Sequence, residues 1–136
     1  MKKRILCIAI CVLLVFSLVS CGQTNEFDTV AALKSAIKKD PSLEEQQVSV
    51  KGSILKEDDG IVLTDYIRDS WADGYSPLFG IEAKRHTNIT VIISEDKKVM
   101  LLDSGDYVEI IGTVKISDDD IYLDECDYKI ITSIYD

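Results

Sequence analysis

The chain has 136 residues, of which 46% are apolar, and a formal net charge of −9. This length accommodates one domain, and the apolar share is that of a folding chain rather than a disordered one. The excess of acids disfavours nucleic acid as a partner, because binding to phosphates depends on Lys and Arg side chains. It suits cations, cationic peptides or simply a soluble surface.

Residues 1–20 have the plan of a secretory signal peptide. Lys2, Lys3 and Arg4 precede the uncharged apolar run 5–19, which is shorter than the roughly 20 residues of a membrane-spanning helix. We predict that residues 1–20 are removed. The alternative is an uncleaved anchor helix, and under either interpretation the rest of the chain lies outside the cytoplasm, attached to a membrane.

The apolar run ends in LVSC at residues 18–21, followed by Gly22. This end resembles the lipobox of bacterial lipoproteins, in which small residues precede a cysteine that receives lipid and becomes the new N-terminus. The resemblance implies that acylated Cys21 binds membrane lipid in the bacterial cell envelope and that residues 21–25 are the lipidated cysteine and its tether. All 24 acids but only 12 of the 15 Lys and Arg follow Cys21, so the mature chain has a charge near −12.

The four cysteines do not predict a disulfide. Cys7 and Cys11 belong to the predicted signal peptide and Cys21 takes lipid, which leaves Cys126 without an intramolecular partner. We expect Cys126 to be a buried or half-buried strand thiol. It is not expected to be a reactive nucleophile, because the carboxylates beside it in the sequence raise a thiol pKa.

An amphipathic helix is predicted at the start of the mature chain. Asn25 is the candidate N-cap, and apolar residues recur at helical spacing at positions 27, 30, 33 and 37. Lysines crowd the C-terminal end, where the helix dipole favours them, and Pro41 prevents continuation.

Five strands are predicted after the helix. Residues 47–56 and 60–65 form a hairpin, because Asp-Gly between apolar strands signals a tight turn. The third strand covers 89–93 and the fourth 106–116; the fifth begins at 121–123 and continues at 129–134. One helical turn is expected at 97–102, and another strand near 78–83 within the irregular segment 66–88.

The first and fourth strands share a pattern, since Val-x-Val-x-Gly52 resembles Val-x-Ile-x-Gly112. Interior glycines let a small sheet coil until it closes on itself. We therefore predict a mainly β domain at 26–136, a small five-stranded OB-fold-like barrel with an N-terminal α-helix.

The barrel segments carry a pattern of glycines and apolar residues: Val48, Val50 and Gly52, then Gly105, Asp106, Val108, Ile110, Gly112 and Val114, and finally Leu123 and Cys126. This pattern resembles the tRNA-anti-like OB-fold family of bacterial lipoproteins over roughly residues 25–135. The resemblance implies an OB-fold barrel. The family name also implies nucleic-acid binding, which the acidity of this chain disfavours.

Two acidic turns are candidate ligand sites. In an OB barrel the loops after the first and fourth strands flank the usual ligand face, and here both loops are acidic. Side by side they would form a mouth with up to six carboxylates, which suits calcium because this ion takes 6 to 8 oxygen ligands. Ordinary hairpin-turn chemistry and a cationic peptide partner are the alternatives. The six residues are Glu57, Asp58, Asp59, Asp118, Asp119 and Asp120.

Four aromatic residues in 66–88 are candidates for partner binding: Tyr66, Trp71, Tyr75 and Phe79. The last three recur every four residues, but Gly74 and Pro77 favour a loop. They form either a lid packed on the barrel or an exposed platform for a partner or a saccharide chain. The basic cluster 84–86 next to them is expected to counter the acidic mouth or to be a solvated loop end.

The sequence does not predict catalysis. His86 is the single histidine and has no evident nucleophile near it in the sequence, and there is no phosphate loop, HExxH or CxxC motif. The predicted function is binding of a protein or peptide partner through the loop-rimmed face. Calcium binding at the acidic loops is the alternative, and no other cofactor is expected.

Overall fold

The computed structural model describes residues 24–67, 77–95 and 101–135. In these residues the fold is mainly β, as predicted, with six strands, two α-helices and a short 3-10 helix at Pro41–Leu43. In chain order the elements are β1 (Asn25–Phe27), α1 (Val30–Lys39), β2 (Gln47–Glu57), β3 (Gly60–Thr64), α2 (Pro77–Arg85), β4 (Asn88–Ile93), β5 (Tyr107–Ser117) and β6 (Asp120–Thr132).

The six strands form one sheet in the order β1-β2-β3-β4-β6-β5, and β2 also pairs with β5. The eleven residues of β2 serve both neighbours, because 47–53 pair with β5 and 53–57 pair with β3. The β1–β2 and β4–β6 pairs are parallel and the others are antiparallel. The double pairing of β2 bends the sheet back on itself into a partial ring.

Two glycines allow the backbones in this ring to approach closely. A Cβ atom on Gly52 would lie 2.8 Å from both Leu63 Cγ and the carbonyl oxygen of Thr64. A Cβ atom on Gly112 would overlap the Sγ atom of Cys126. Both positions therefore exclude any side chain, which explains why a glycine occurs within β2 and within β5.

Helix α1 covers the interior of the ring. Its Val30, Leu33 and Ile37 are buried at helical spacing. The helix begins at Val30 instead of near Asn25, because the segment Asn25–Phe27 pairs with β2 and Thr29 caps the helix. The apolar strand residues that complete this core include Val48, Val50, Ile54, Leu63, Ile89, Val91, Val108, Ile110, Val114 and Leu123.

The carboxylate of Asp65 joins α1 to the sheet. One of its oxygens accepts a hydrogen bond from Val30 N at 2.6 Å, and the other accepts from Ala31 N at 2.9 Å. These two N–H groups have no partner within the helix. Asp65 follows the end of β3, and its own N–H donates to the carbonyl of Thr87. One side chain therefore fixes the position of the helix on the ring.

Two strand predictions were wrong in detail. The segment 78–83 is part of helix α2 and not a strand: Phe79 and Ala83, four residues apart, are both buried against Leu55. Strand β6 runs without a break from 120 to 132, and a register shift and the positive φ of Glu125 absorb its irregularity. Most of the helical turn expected at 97–102 lies outside the described residues.

We predict that Gly112→Ala lowers the free energy of unfolding by about 1–3 kcal/mol, because the new methyl group meets Cys126 in a filled core. Gly80→Ala is the matched control. A Cβ atom there meets only Leu55 Cδ1 at 3.8 Å, and Ala is favoured over Gly inside a helix, so this variant should gain about 0.5–1 kcal/mol. Urea unfolding curves measure both changes. Equal stability of the two variants would contradict the packing described for Gly112.

We also predict that Asp65→Ala lowers the free energy of unfolding by about 1–3 kcal/mol, because two N–H groups of α1 lose their acceptor. Asp28→Ala is the control at the same end of the helix. Its carboxylate is 96% exposed and lies 4.0 Å from Lys51 Nζ, so its removal should change stability little. Chemical denaturation distinguishes the two, and a similar loss in both variants would argue against Asp65 as the anchor of α1.

Candidate functional site

The two acidic turns lie at opposite ends of the β2–β5 pair. Gln47 at the start of β2 pairs with Thr113, and Ser53 pairs with Tyr107. The turn at 57–59 therefore lies beyond one end of the pairing, and the turn at 118–120 lies beyond the other. Among the residues that the structure describes, no group of three or more His, Cys, Asp or Glu side chains is arranged to hold a metal ion. The expected joint mouth of six carboxylates is not formed.

The turn at 57–59 faces helix α2 across an open cleft of about 680 Å³. We call this space the α2 cleft. The β2–β3 hairpin forms one wall and the exposed side of α2 forms the other. The lining residues are Leu55, Lys56, Glu57, Asp58, Asp59, Gly80, Ile81 and Lys84.

The two lysines of the α2 cleft are engaged within the protein. Lys84 Nζ lies 3.1 Å from a carboxylate oxygen of Glu57, and Lys56 Nζ donates to the carbonyl oxygen of Leu102 at 2.8 Å. Within the described part of the chain, the carboxylates of Asp58 and Asp59 have no hydrogen bond or ion pair, and both residues are exposed. The acids available to a ligand in the α2 cleft are therefore these two aspartates.

Helix α2 carries two exposed apolar side chains, and one of them, Ile81, lines the cleft. Ile81 is 50% exposed and Leu78, one turn earlier on α2, is 66% exposed, although both are large aliphatic residues. Sequence reasoning missed them because it did not predict a helix at 77–85. With a helix there, the spacing of Phe79 and Ala83 would have identified the buried side and left these residues on the other.

The aromatic candidates that the structure describes are packed and not presented as a platform. Phe79 is 2% exposed, and its ring lies 5.5 Å from that of half-buried Tyr66. The ring of Tyr66 also lies 5.2 Å from that of His86. Phe79 therefore contributes to the packing of α2 on the hairpin. Trp71, Tyr75 and the lipidation candidate Cys21 lie outside the described residues.

The turn at 118–120 borders a separate cleft of about 490 Å³ between α1 and strands β4 and β6. Lys34 and Lys38 line its helix side, and Asp119 and Asp120 line its turn side. Lys34 Nζ donates to the carbonyl oxygen of Asn88 at 2.9 Å. Opposite charges thus border both clefts, but in the α2 cleft both lysines have partners within the protein.

Cys126 is a fully buried thiol on β6, which confirms that part of the prediction. Burial raises the pKa of the Cys126 thiol to about 12, and the carboxylate of Asp124 adds to the increase. The main cause is therefore loss of water and not the neighbouring acids. At neutral pH the side chain acts as a small apolar group that fills the space beside Gly112.

Comparison with known proteins finds no family model, no curated protein and no solved structure that matches this chain. Neither of the α-helices among the described residues is long and apolar enough to cross a membrane.

The raised pKa of Cys126 predicts that the free energy of unfolding decreases at alkaline pH. The folded state keeps the thiol protonated up to about pH 12, whereas the unfolded chain releases the proton near pH 9, so stability falls as pH rises above 9. The free-energy difference between wild type and Cys126→Ala should be constant below pH 8.5 and should shrink from pH 9 to 10.5. Urea titrations at fixed pH measure it, and an unchanged difference would contradict a buried thiol.

Proposed function

We propose that this protein is a membrane-anchored extracytoplasmic lipoprotein whose OB-like domain binds a protein or peptide partner and carries out no catalysis. The strand pairing supports the OB-like part of the proposal. The partial ring has the order β2-β3-β4-β6-β5 with β5 also paired to β2, which is the strand order expected of a five-stranded OB-fold barrel.

The lipobox at residues 18–21 supports the anchor. It combines a short apolar run, the small residue Ser20 and Cys21. All three features resemble the lipobox of bacterial lipoproteins. Acylated Cys21 then attaches the domain to the envelope membrane. We do not propose the nucleic-acid binding that the tRNA-anti-like family name implies, because a mature chain with a net charge near −12 repels phosphates.

The α2 cleft carries the binding proposal. It combines the exposed side chain of Ile81 with two aspartates that have no partner among the described residues, next to lysines that already have theirs. Exposed apolar surface bordered by charge is typical of protein interaction sites. The charge selects a partner segment that presents Lys or Arg beside an apolar residue, because complementary charges steer association and fix its register.

The state of the Cys126 thiol supports a binding function over an enzymatic one. Cys126 is buried with a raised pKa, which is unsuited to a nucleophile. Calcium binding was the alternative function. It depended on six converging carboxylates, and the β2–β5 register separates them into two sets of three. We therefore favour the cationic partner.

We expect a photo-crosslinking residue at position 81 to capture a discrete partner in cells that express the full chain. A crosslinker at Ile92 is the matched control, because this isoleucine is 46% exposed but borders the other cleft. Asp58→Asn combined with Asp59→Asn should reduce capture at position 81 about tenfold, equivalent to about 1.4 kcal/mol. Equal capture from both positions, or capture that does not respond to the Asn substitutions, would refute the α2 cleft as the binding site.

A further inference from the structure

The start of β1 limits how far the domain can move from its lipid. Asn25, the first residue of β1, follows Cys21 by four residues. Four residues span at most about 14 Å even when fully extended. Whatever the conformation of that segment, an acylated Cys21 therefore holds Asn25 close to the membrane surface.

The register then identifies which end of the domain is held there. Asn25 pairs with Val48 near the start of β2, and Val48 pairs with Gly112 on β5. From Gly112 the strand β5 continues toward the turn at 118–120. Six residues separate Gly112 from Asp118 and ten separate Val48 from Asp58, so the lipid attachment is nearer to the turn at 118–120. Because β1 is parallel to β2, the N-terminal end of β1 also points in that direction.

The α2 cleft is at the other end. From Val48 the strand β2 runs ten residues to Asp58, which is up to about 33 Å along a strand. Asp58, Asp59 and the α2 residues that face them therefore lie farther from the lipid attachment than the turn at 118–120 does. At the near end, the acidic turn at 118–120 is repelled by anionic headgroups, which opposes close approach of the domain to the membrane.

We propose that the short tether orients the domain with the turn at 118–120 toward the membrane and the α2 cleft toward the aqueous side. This inference depends on the proposed lipidation of Cys21 and on the α2 cleft as the binding site. It specifies the partner as a protein whose cationic segment approaches from outside the membrane. A lipid surface does not fit this cleft, because the tether holds the opposite end of the domain at the membrane.

The test uses the full-length lipidated protein in vesicles of phosphatidylethanolamine and phosphatidylglycerol that contain a headgroup-linked quencher. A fluorophore is attached at Asp58→Cys or at Asp120→Cys, two exposed acids in equivalent turns. Cys126 is buried and should not be labelled. We expect quenching at position 120 to be at least about threefold stronger than at position 58, because quenching falls steeply over the length of β2. Equal quenching, or stronger quenching at position 58, would overturn the orientation.

Two further experiments test the tether and the lipidation separately. Inserting a flexible Gly/Ser segment of about 20 residues after Gly22 should strongly reduce the difference, because such a linker adds about 25 Å of root-mean-square reach and lets the domain rotate relative to the membrane. If the difference persists, the tether does not orient the domain. Mass analysis of wild type and Cys21→Ser tests the anchor itself. If the wild-type protein carries no acyl group, the proposed anchoring is overturned. If it is acylated but quenching at positions 58 and 120 is equal, only the orientation is overturned.

Discussion

The simultaneous pairing of β2 with two strands is the constraint on which the rest of the structure depends. β2 passes from β5 to β3 at Gly52 and Ser53, where no space remains for a side chain on the glycine. The resulting partial ring encloses an apolar interior that α1 covers, and Asp65 holds the helix there by accepting two of its N–H groups. The same pairing sends the ends of β2 and β5 in opposite directions. The two acidic turns are separated as a result.

Local patterns in the sequence predicted the features that depend on near neighbours. The hairpin at 57–60, the two long glycine-containing strands and the buried thiol of Cys126 were all recognisable. Helix α2 was not, because its nine residues include Gly80 and have only a short apolar repeat. The separation of the acidic turns was also not predictable. It depends on strand register, which no pattern within one segment encodes.

The two ends of the domain have different chemistry, and this difference connects the fold to the proposed function. At one end, two aspartates without partners among the described residues lie beside the exposed Ile81, while the adjacent lysines are engaged within the protein. At the other end, lysines of α1 and aspartates of the β5–β6 turn border a common cleft. A lipid on Cys21 would hold the second end at the membrane. The first end would then be accessible to a protein with a cationic and apolar segment.

The separation of the two acidic turns can be measured directly as a distance between spin labels at Asp58→Cys and Asp120→Cys by pulsed electron resonance. The register predicts a single distribution centred beyond about 20 Å, because most of the length of β2 lies between the labels. A distribution centred near about 10 Å would bring the six carboxylates together. It would contradict the double pairing of β2 and the proposed orientation, and it would restore calcium as the favoured ligand.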